Sequence, residues 1–230
     1  MAVDVHSTLE ISVASRGTMG SSRSPIGSTK SQQGFSLLEL LVVIFITGIL
    51  AAITLPQLLA IERNQRIRGD AHSIAGDVGL AKMRAGADFT QARVYLDLGS
   101  NKHWVDEWDQ ANLCWHPEGT VDGTCATVAG PAAVALSPGV TAGFGVVGAP
   151  PPNTTAGLSQ ASACTTDNKG TATIANTACI VFNSRGMPLN SIPAGLYVTD
   201  TNLVYGVTVN ASGMVQTWGT SAAGANWSLR

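Results

Sequence analysis

Charged residues are scarce in this sequence. Lys, Arg, Asp and Glu make up 12% of its 230 residues, about half the ~25% that is usual in soluble globular domains. Thirteen Lys and Arg stand against fifteen Asp and Glu, so the formal net charge is −2. Without an excess of positive charge, the chain has no general field that would attract nucleic acid. Its hydrophobic content of 45% argues against a wholly disordered chain, which would combine low hydrophobicity with high charge.

The few charges are unevenly distributed along the chain. Residues 1–34 carry five of them, residues 35–61 carry one, residues 62–109 carry fifteen and residues 110–230 carry seven. This distribution predicts a polar leader, an apolar segment, a charged continuation and a weakly charged C-terminal region.

The second of these zones is long enough to cross a membrane. Phe35–Ile61 is apolar with a single charge, and a helix rising ~1.5 Å per residue over that length spans the ~30 Å hydrocarbon core of a bilayer. No cleavage site of the secretory type follows the run, so we expect the apolar segment to be retained. Basic residues flank the run on both sides, so the positive-inside rule alone leaves its orientation open. The nearest ones are Arg16, Arg23, Lys30, Arg63, Arg66 and Arg68.

One carboxylate lies inside the apolar run. Glu39 is its fifth residue, and a charge at mid-bilayer costs about 2.5–3.5 kcal/mol on insertion scales. The segment Gln33–Leu41 places a glycine, an aromatic residue and this glutamate in one register, and it closely resembles the prepilin processing motif of type IV pilins and type II secretion pseudopilins. The resemblance implies that a membrane peptidase cuts after Gly34 and methylates the new amine of Phe35. It also implies that Glu39 pairs with the N-terminal amine of a neighbouring subunit, which would give this carboxylate a partner in a low-dielectric environment.

The same resemblance implies the partners and the location of the protein. The partners are the prepilin peptidase/N-methyltransferase, other pilin or pseudopilin subunits, and an inner-membrane assembly platform. The chain would cross the bacterial inner membrane once, with its head in the periplasm or on the cell surface in a filament. We expect a leader over 1–34, a long helix over 35–86 and a head over 87–230.

Two helix-weakening residues lie within the apolar run. Glycine weakens a helix interior by about 1 kcal/mol, and proline removes a hydrogen bond and clashes with the preceding turn. The resemblance implies local melting between Gly48 and Pro56 when the filament assembles. A mild kink in a continuous helix is the alternative.

The charged zone continues as an amphipathic helix. Apolar residues recur at spacings of four and three, which predicts a single buried stripe, and Gly86 is the expected C-cap. Arg63–Arg68 either contacts lipid headgroups or forms a solvated face, of which the solvated face is the commoner case. The pattern from Arg63 to Ala85 resembles the GspH/FimT subgroup of the family. The stripe consists of Ile67, Ala71, Ile74, Val78 and Ala81.

The C-terminal region predicts an antiparallel sheet, so the expected fold is α+β, with the long N-terminal helix packed on a β-sheet head. Asn210–Gly213 predicts a hairpin turn, and the Gly- and Pro-rich segment 143–168 predicts a long exposed loop. Short runs rich in β-branched and aromatic residues mark the expected strands. They cover residues 92–98, 132–137, 171–175, 178–183, 195–200, 203–210 and 214–218.

The head contains all four cysteines. An even number in an exported chain predicts two disulfides. Three pairings are possible, and we favour the pairing of sequence neighbours because it closes short loops. No metal-ligand spacing accompanies these cysteines, so we expect neither a metal site nor a cofactor. The residues are Cys114, Cys125, Cys164 and Cys179.

Tryptophans and carboxylates alternate in one segment of the head. Such a segment is either a partner-binding surface or a loop whose rings fold into the core. The residues are Trp104, Asp106, Glu107, Trp108, Asp109 and Trp115.

These features predict a structural subunit. No nucleophile elbow, phosphate-binding loop or coherent catalytic set occurs, so we expect no enzymatic activity. The favoured hypothesis is a GspH/FimT-like minor pilin or pseudopilin, and the alternatives are a DNA-uptake minor pilin or a major pilin. In DNA-uptake relatives the last turn reads Gly-Arg-x-Arg, whereas this chain has Gly213-Met214-Val215-Gln216, which argues against DNA binding.

Overall fold

The computed structural model describes residues 35–120, 125, 130–152, 158–189, 194–224 and 226–230. The leader and Gly34 therefore lie outside the described residues. The chain divides into two compact units, Met1–Gly48 and Ile49–Arg230. The described elements are helix α1 (Leu37–Ala87) and strands β1 (Ala92–Asp97), β2 (Lys102–Asp109), β3 (Cys114–Pro117), β4 (Val134–Ala135), β5 (Thr141–Ala142), β6 (Thr177–Phe182), β7 (Ala194–Thr199), β8 (Leu203–Val209), β9 (Val215–Ser221) and β10 (Ser228–Leu229).

Helix α1 has a capped start and ends later than expected. The backbone N–H of Leu38 donates to Ser36 Oγ over 3.3 Å, which makes Ser36 the N-cap. At the other end, the Asp88 N–H still donates to the Arg84 carbonyl over 2.9 Å, so helical bonding continues past Gly86. The left-handed φ of 52° that follows the helix falls on Phe89. The prediction of Gly86 as C-cap is therefore wrong.

The predicted helical stripe is confirmed. Every one of its members is fully buried, and Ala85 extends the stripe by one more turn. The stripe packs in one core cluster with side chains from β1, β2 and β6 and from β7 and β8, including Val94, Ile180, Leu196 and Val207. Burial of this apolar surface stabilises the fold by roughly 25 cal/mol per Å².

The strands form two antiparallel sheets, where the sequence predicts one. The first has the order β3-β2-β1-β6, with β4 also paired to β2, and the second has the order β10-β9-β8-β7-β5. The second sheet is largely a meander, because β7, β8 and β9 pair consecutively. The predicted hairpin is confirmed, since Val209 and Val215 close β8 and β9 around the Asn210–Gly213 turn. The predicted α+β fold, a long N-terminal helix followed by an antiparallel β head, is confirmed. Strand propensity does not state which strands pair, so it did not reveal the division into two sheets.

Two of the predicted strands are shorter than expected or absent, and one strand was not predicted. Segment 132–137 yields only β4, and segment 171–175 holds only an isolated bridge at Thr173. The charges of segment Lys102–Asp109 favour a loop in the sequence. In the structure this segment is β2, a central strand of its sheet that pairs with β1 along one edge.

Both disulfides join cysteines that are neighbours in the sequence, which is the expected pairing. Cys114 bonds Cys125, and Cys164 bonds Cys179. The second bond holds part of the irregular segment 143–168 against β6. That segment forms no strand in its described residues, but it is not wholly exposed as predicted, because Val147, Ala161 and Cys164 are buried.

Candidate functional site

The apolar N-terminal part of α1 leaves its side chains exposed. Every described side chain from Phe35 to Ile61 is exposed, and α1 is long and apolar enough to cross a membrane. Soluble proteins rarely expose continuous apolar surface of this extent. Lipid or other protein chains must therefore cover this surface.

The hydroxyl groups in this segment are already hydrogen-bonded. Thr47 Oγ1 donates to the Val43 carbonyl over 2.9 Å, and Thr54 Oγ1 donates to the Leu50 carbonyl over 3.0 Å. Unsatisfied polar groups cost several kcal/mol in hydrocarbon, so these internal bonds suit the helix to an apolar environment.

Glu39 differs from the threonines. It lies exposed in the first turn of α1, where the positive end of the helix dipole favours a carboxylate. Its carboxylate makes no hydrogen bond or ion pair within the described chain. Phe35, which would carry the new amine after processing, lies four residues before it and is 84% exposed. Both groups are therefore accessible to a second molecule.

The two helix-weakening residues lie within a continuous helix in this structure. α1 runs through Gly48 and Pro56 without a break. A Cβ added at Gly48 would meet no atom within 4 Å, so local packing does not require glycine there. Melting between these residues on assembly stays a prediction.

The second half of α1 is held to the head by polar side chains. Asp70 accepts the Ser137 N–H and O–H, both over 2.9 Å. Asp77 Oδ2 lies 2.6 Å from His103 Nδ1, and Lys82 Nζ donates to the Gly213 carbonyl over 2.9 Å. Sequence reasoning missed these contacts because their partners lie at least 26 residues away.

Arg84 makes a further contact at the end of the helix. Its guanidinium donates to Glu118 and lies 3.4 Å from Glu107. Burial raises the pKa of Glu107, the nearby Asp88 carboxylate raises it further, and Arg84 opposes both effects. Arg84 therefore offsets negative charge that the fold brings together.

The tryptophan-rich segment is part of the interior. Trp104, Trp108 and Trp115 are all buried, so its interpretation as a partner-binding surface is wrong. Arg93 Nε donates to Asp106 Oδ2 over 2.7 Å, and the guanidinium lies 4.2 Å from the Trp115 ring centroid. The Trp104 indole N–H donates to Asp106 Oδ1 over 2.6 Å. Arg93 and Asp106 therefore form a buried ion pair that is flanked by aromatic side chains.

The turn between β8 and β9 is followed by a methionine. Asn210 Oδ1 accepts the N–H groups of Ser212 and Met214, and Met214 is 49% exposed. Gly213 takes a φ of 76°, and its carbonyl accepts the Lys82 ammonium. The side chain that is exposed next to this turn, Met214, is therefore apolar and not positively charged.

Within the ranges that the structure describes, no group of three His, Cys, Asp or Glu side chains is arranged to hold a metal ion. Cys114, two residues before His116, is engaged in a disulfide.

A family model described as the prokaryotic N-terminal methylation motif matches residues 29–55. The chain therefore carries this methylation motif. The match covers the processing position, Glu39 and most of the apolar run. Among curated proteins, none matches the sequence.

Two solved structures are similar to this chain, and both are of the minor pseudopilin EpsH from the type II secretion system of Vibrio cholerae. One is 13% identical with a TM-score of 0.40, and the similarity covers 66% of this chain and 95% of that one. The other is 14% identical with a TM-score of 0.41, and it covers 66% of this chain and 93% of that one.

Proposed function

We propose that this chain is a minor pilin or pseudopilin of the GspH/FimT type. A prepilin peptidase removes residues 1–34 after Gly34 and methylates Phe35, and the mature subunit assembles into a type II secretion pseudopilus or a type IV pilus. One observation carries the proposal: the methylation motif stands at the start of an exposed apolar run, Phe35–Ile61, in which Glu39 is the single charged residue.

The apolar run serves two environments in this proposal. Before assembly it anchors the subunit in the inner membrane, with the head in the periplasm. In the filament, the same side chains pack against helices of other subunits. Both environments exclude water, which suits a segment whose hydroxyl groups donate to its own backbone.

Glu39 directs assembly by pairing with an amine. Taking a carboxylate into a low dielectric is costly unless an opposite charge with hydrogen bonds compensates it. The N-terminal amine of Phe35 in a neighbouring subunit supplies that charge. Pairing of this kind also fixes the axial register between adjacent helices.

The resemblance to GspH/FimT supports the minor subunit role. Its basis is the Arg63–Ala85 pattern and the strand–turn–glycine elements ending at Gly186 and Gly213. The subunit belongs to a secretion pseudopilus or to a pilus, and it supports protein secretion in the first case or pilus biogenesis in the second.

A Glu39→Ala variant tests the assembly role. We expect it to insert into the membrane and to be processed, but to be depleted from sheared filament fractions. Glu62→Ala is the matched control, because Glu62 lies on the same helix, is exposed and pairs with Arg66. Incorporation of the Glu39 variant at the level of the control would refute the pairing. Abundance in the same fractions separates a minor subunit from a major pilin.

A further inference from the structure

A cleft lies where the apolar run of α1 gives way to the charged segment. It has a volume of about 370 Å³ and is lined by Arg63 and Arg66, by the turn Pro138–Val140 and by the turn Asp200–Asn202. We infer that this cleft binds the phosphate group of an anionic phospholipid. The inference rests on the proposed membrane anchoring.

The two arginines supply the charge. They are three residues apart on α1, so their side chains lie on one helical face. Arg66 pairs with Glu62, and both side chains of that pair remain about half exposed. Arg63 makes no ion pair in the part of the chain that the structure describes. A guanidinium can bind two oxygens of a phosphate through parallel hydrogen bonds.

The carboxylate in the cleft does not neutralise both arginines. Asp200 Oδ1 accepts the N–H groups of Asn202 and Leu203 over 2.9 and 2.7 Å, so it is held by its own turn. The charged residues that line the cleft are Arg63, Arg66 and Asp200. Because Glu62 pairs with Arg66 and Asp200 is held by its own turn, Arg63 is the guanidinium in this cleft without a carboxylate partner among the described residues.

The opposite wall is a fixed turn. The Val140 N–H donates to the Ser137 carbonyl over 2.9 Å, and Gly139 has a φ of 87°, which together describe a type II turn. Asp70 clamps Ser137 to the helix. The Gly139 N–H has no acceptor among the described residues, and Gly139 lines the cleft.

The third wall holds its backbone in an uncommon conformation. Thr201 has a φ of 77°, which is unfavourable for a β-branched residue. Such conformations persist where the surroundings fix them, and they are frequent at binding sites. Here the hydrogen bonds to Asp200 hold the turn that closes the cleft.

The position along the helix selects a lipid as the source of the phosphate. The last residue of the apolar run is Ile61, and at ~1.5 Å per residue Arg63 and Arg66 follow it by roughly 3 and 7.5 Å along the axis. That distance places them at headgroup level when the run lies in hydrocarbon. Guanidinium groups at that level can bind the phosphate of an anionic headgroup through charge-assisted hydrogen bonds.

Native mass spectrometry of the full mature chain in mild detergent tests the inference. Phosphatidylglycerol, phosphatidylcholine and inorganic phosphate are titrated separately. We expect one retained phosphatidylglycerol, and about a tenfold loss of affinity in Arg63→Gln/Arg66→Gln, corresponding to the loss of charge-assisted bonds. Arg68→Gln removes the same charge outside the cleft, and its affinity should stay within about twofold of the parent. Arg63→Lys keeps the positive charge but loses the planar guanidinium, so its affinity should lie between that of the double variant and that of Arg68→Gln.

Two results would overturn the inference. Equal phosphatidylglycerol retention by the double variant and Arg68→Gln would exclude the cleft. Arginine-dependent binding of inorganic phosphate without a preference for phosphatidylglycerol would exclude the lipid. Carbonate extraction of the membranes from which the chain is purified distinguishes failure of lipid binding from failure of membrane anchoring. A chain released by carbonate contradicts the proposed function, whereas a chain retained in the membrane is consistent with it.

Discussion

At the scale of single residues, the ion pair between Arg93 and Asp106 is the most consequential feature of the head. Both side chains are almost fully buried, at 1% and 2% exposure. Burial lowers the pKa of Arg93 and raises that of Asp106, and their mutual attraction opposes both shifts. A pair of this kind stabilises the fold only while both partners are present.

Arg93→Leu should therefore destabilise the head by about 3–5 kcal/mol, because it leaves the Asp106 charge buried without its partner. All five tryptophans follow residue 100, so their fluorescence during urea unfolding of the detergent-solubilised chain reports on the head. Arg93→Leu/Asp106→Leu should recover much of the loss. An effect of the single variant no larger than that of the exposed control Arg185→Leu would contradict this account.

Arg84→Gln should destabilise the head by an amount that depends on pH. Without Arg84, the pKa of Glu107 rises further above its ordinary value of 4.5. A carboxyl whose pKa is raised in the folded state contributes stability below its unfolded pKa, and that contribution is lost as the pH rises through the folded pKa. The variant should thus lose more stability near pH 7 than near pH 4. The difference should be only on the order of 0.5 kcal/mol, because the Arg84 side chain is 44% exposed and solvent screens the interaction. Urea midpoints at both pH values measure this, and equal losses would rule it out.

At the scale of elements, the helix and the turns of the head constrain one another. Gly213 and Gly186 both take a positive φ, and both lie against Lys82 of α1. A Cβ on Gly213 would come within 3.2 Å of the Gly186 carbonyl oxygen and the Lys82 ammonium. The close approach of helix and turns therefore requires glycine at this position.

Two glycine substitutions should change the stability of the head in opposite directions. Gly213→Ala should destabilise the head by about 1 kcal/mol or more, because alanine strains the left-handed conformation. Gly76→Ala should stabilise it by about 0.5–1 kcal/mol, because Gly76 lies within α1 and its Cβ would meet open space. Thermal unfolding of the two variants side by side tests this, and a shift in the same direction for both would be incompatible with it.

The disulfides should differ in their contribution to stability. Cys164 and Cys179 are both buried, and their bond holds an irregular segment against β6. Cys164→Ala/Cys179→Ala should cost about 2–4 kcal/mol. Cys114→Ala/Cys125→Ala should cost less, because Cys125 is exposed and less packing is lost. Urea unfolding of both double variants provides the comparison, and the reverse order would contradict it.

At the scale of the whole molecule, local patterns are what the sequence predicts well. The motif around Gly34, Phe35 and Glu39 is contiguous, and the stripe of α1 repeats with helical period, so both can be read without knowing the fold. The turn at Asn210–Gly213 is equally local, and it closes a hairpin whose strands follow each other directly.

Long-range pairing is what the sequence does not reveal. The Asp70–Ser137 contact joins residues 67 positions apart, and the buried Arg93–Asp106 pair contradicts the expectation that charges lie outside. The charges of β2 concealed it as a strand, because the partners of Asp106 and Glu107, Arg93 and Arg84, lie on other elements. The division into two sheets depends on pairings that strand propensity does not encode. The cleft beside Arg63 likewise requires two loops that lie far away in the sequence.

The central claim is that the mature chain begins at Phe35 and is a filament subunit. Mass spectrometry of the membrane-associated protein, produced with and without a prepilin peptidase, tests it most directly. With the peptidase, the account predicts an N-terminal peptide that starts at N-methylated Phe35. Without it, or with Gly34→Val, which places a bulkier side chain at the cleavage site, the leader should stay attached. A mature N-terminus at any residue other than Phe35 in the presence of the peptidase would contradict the account.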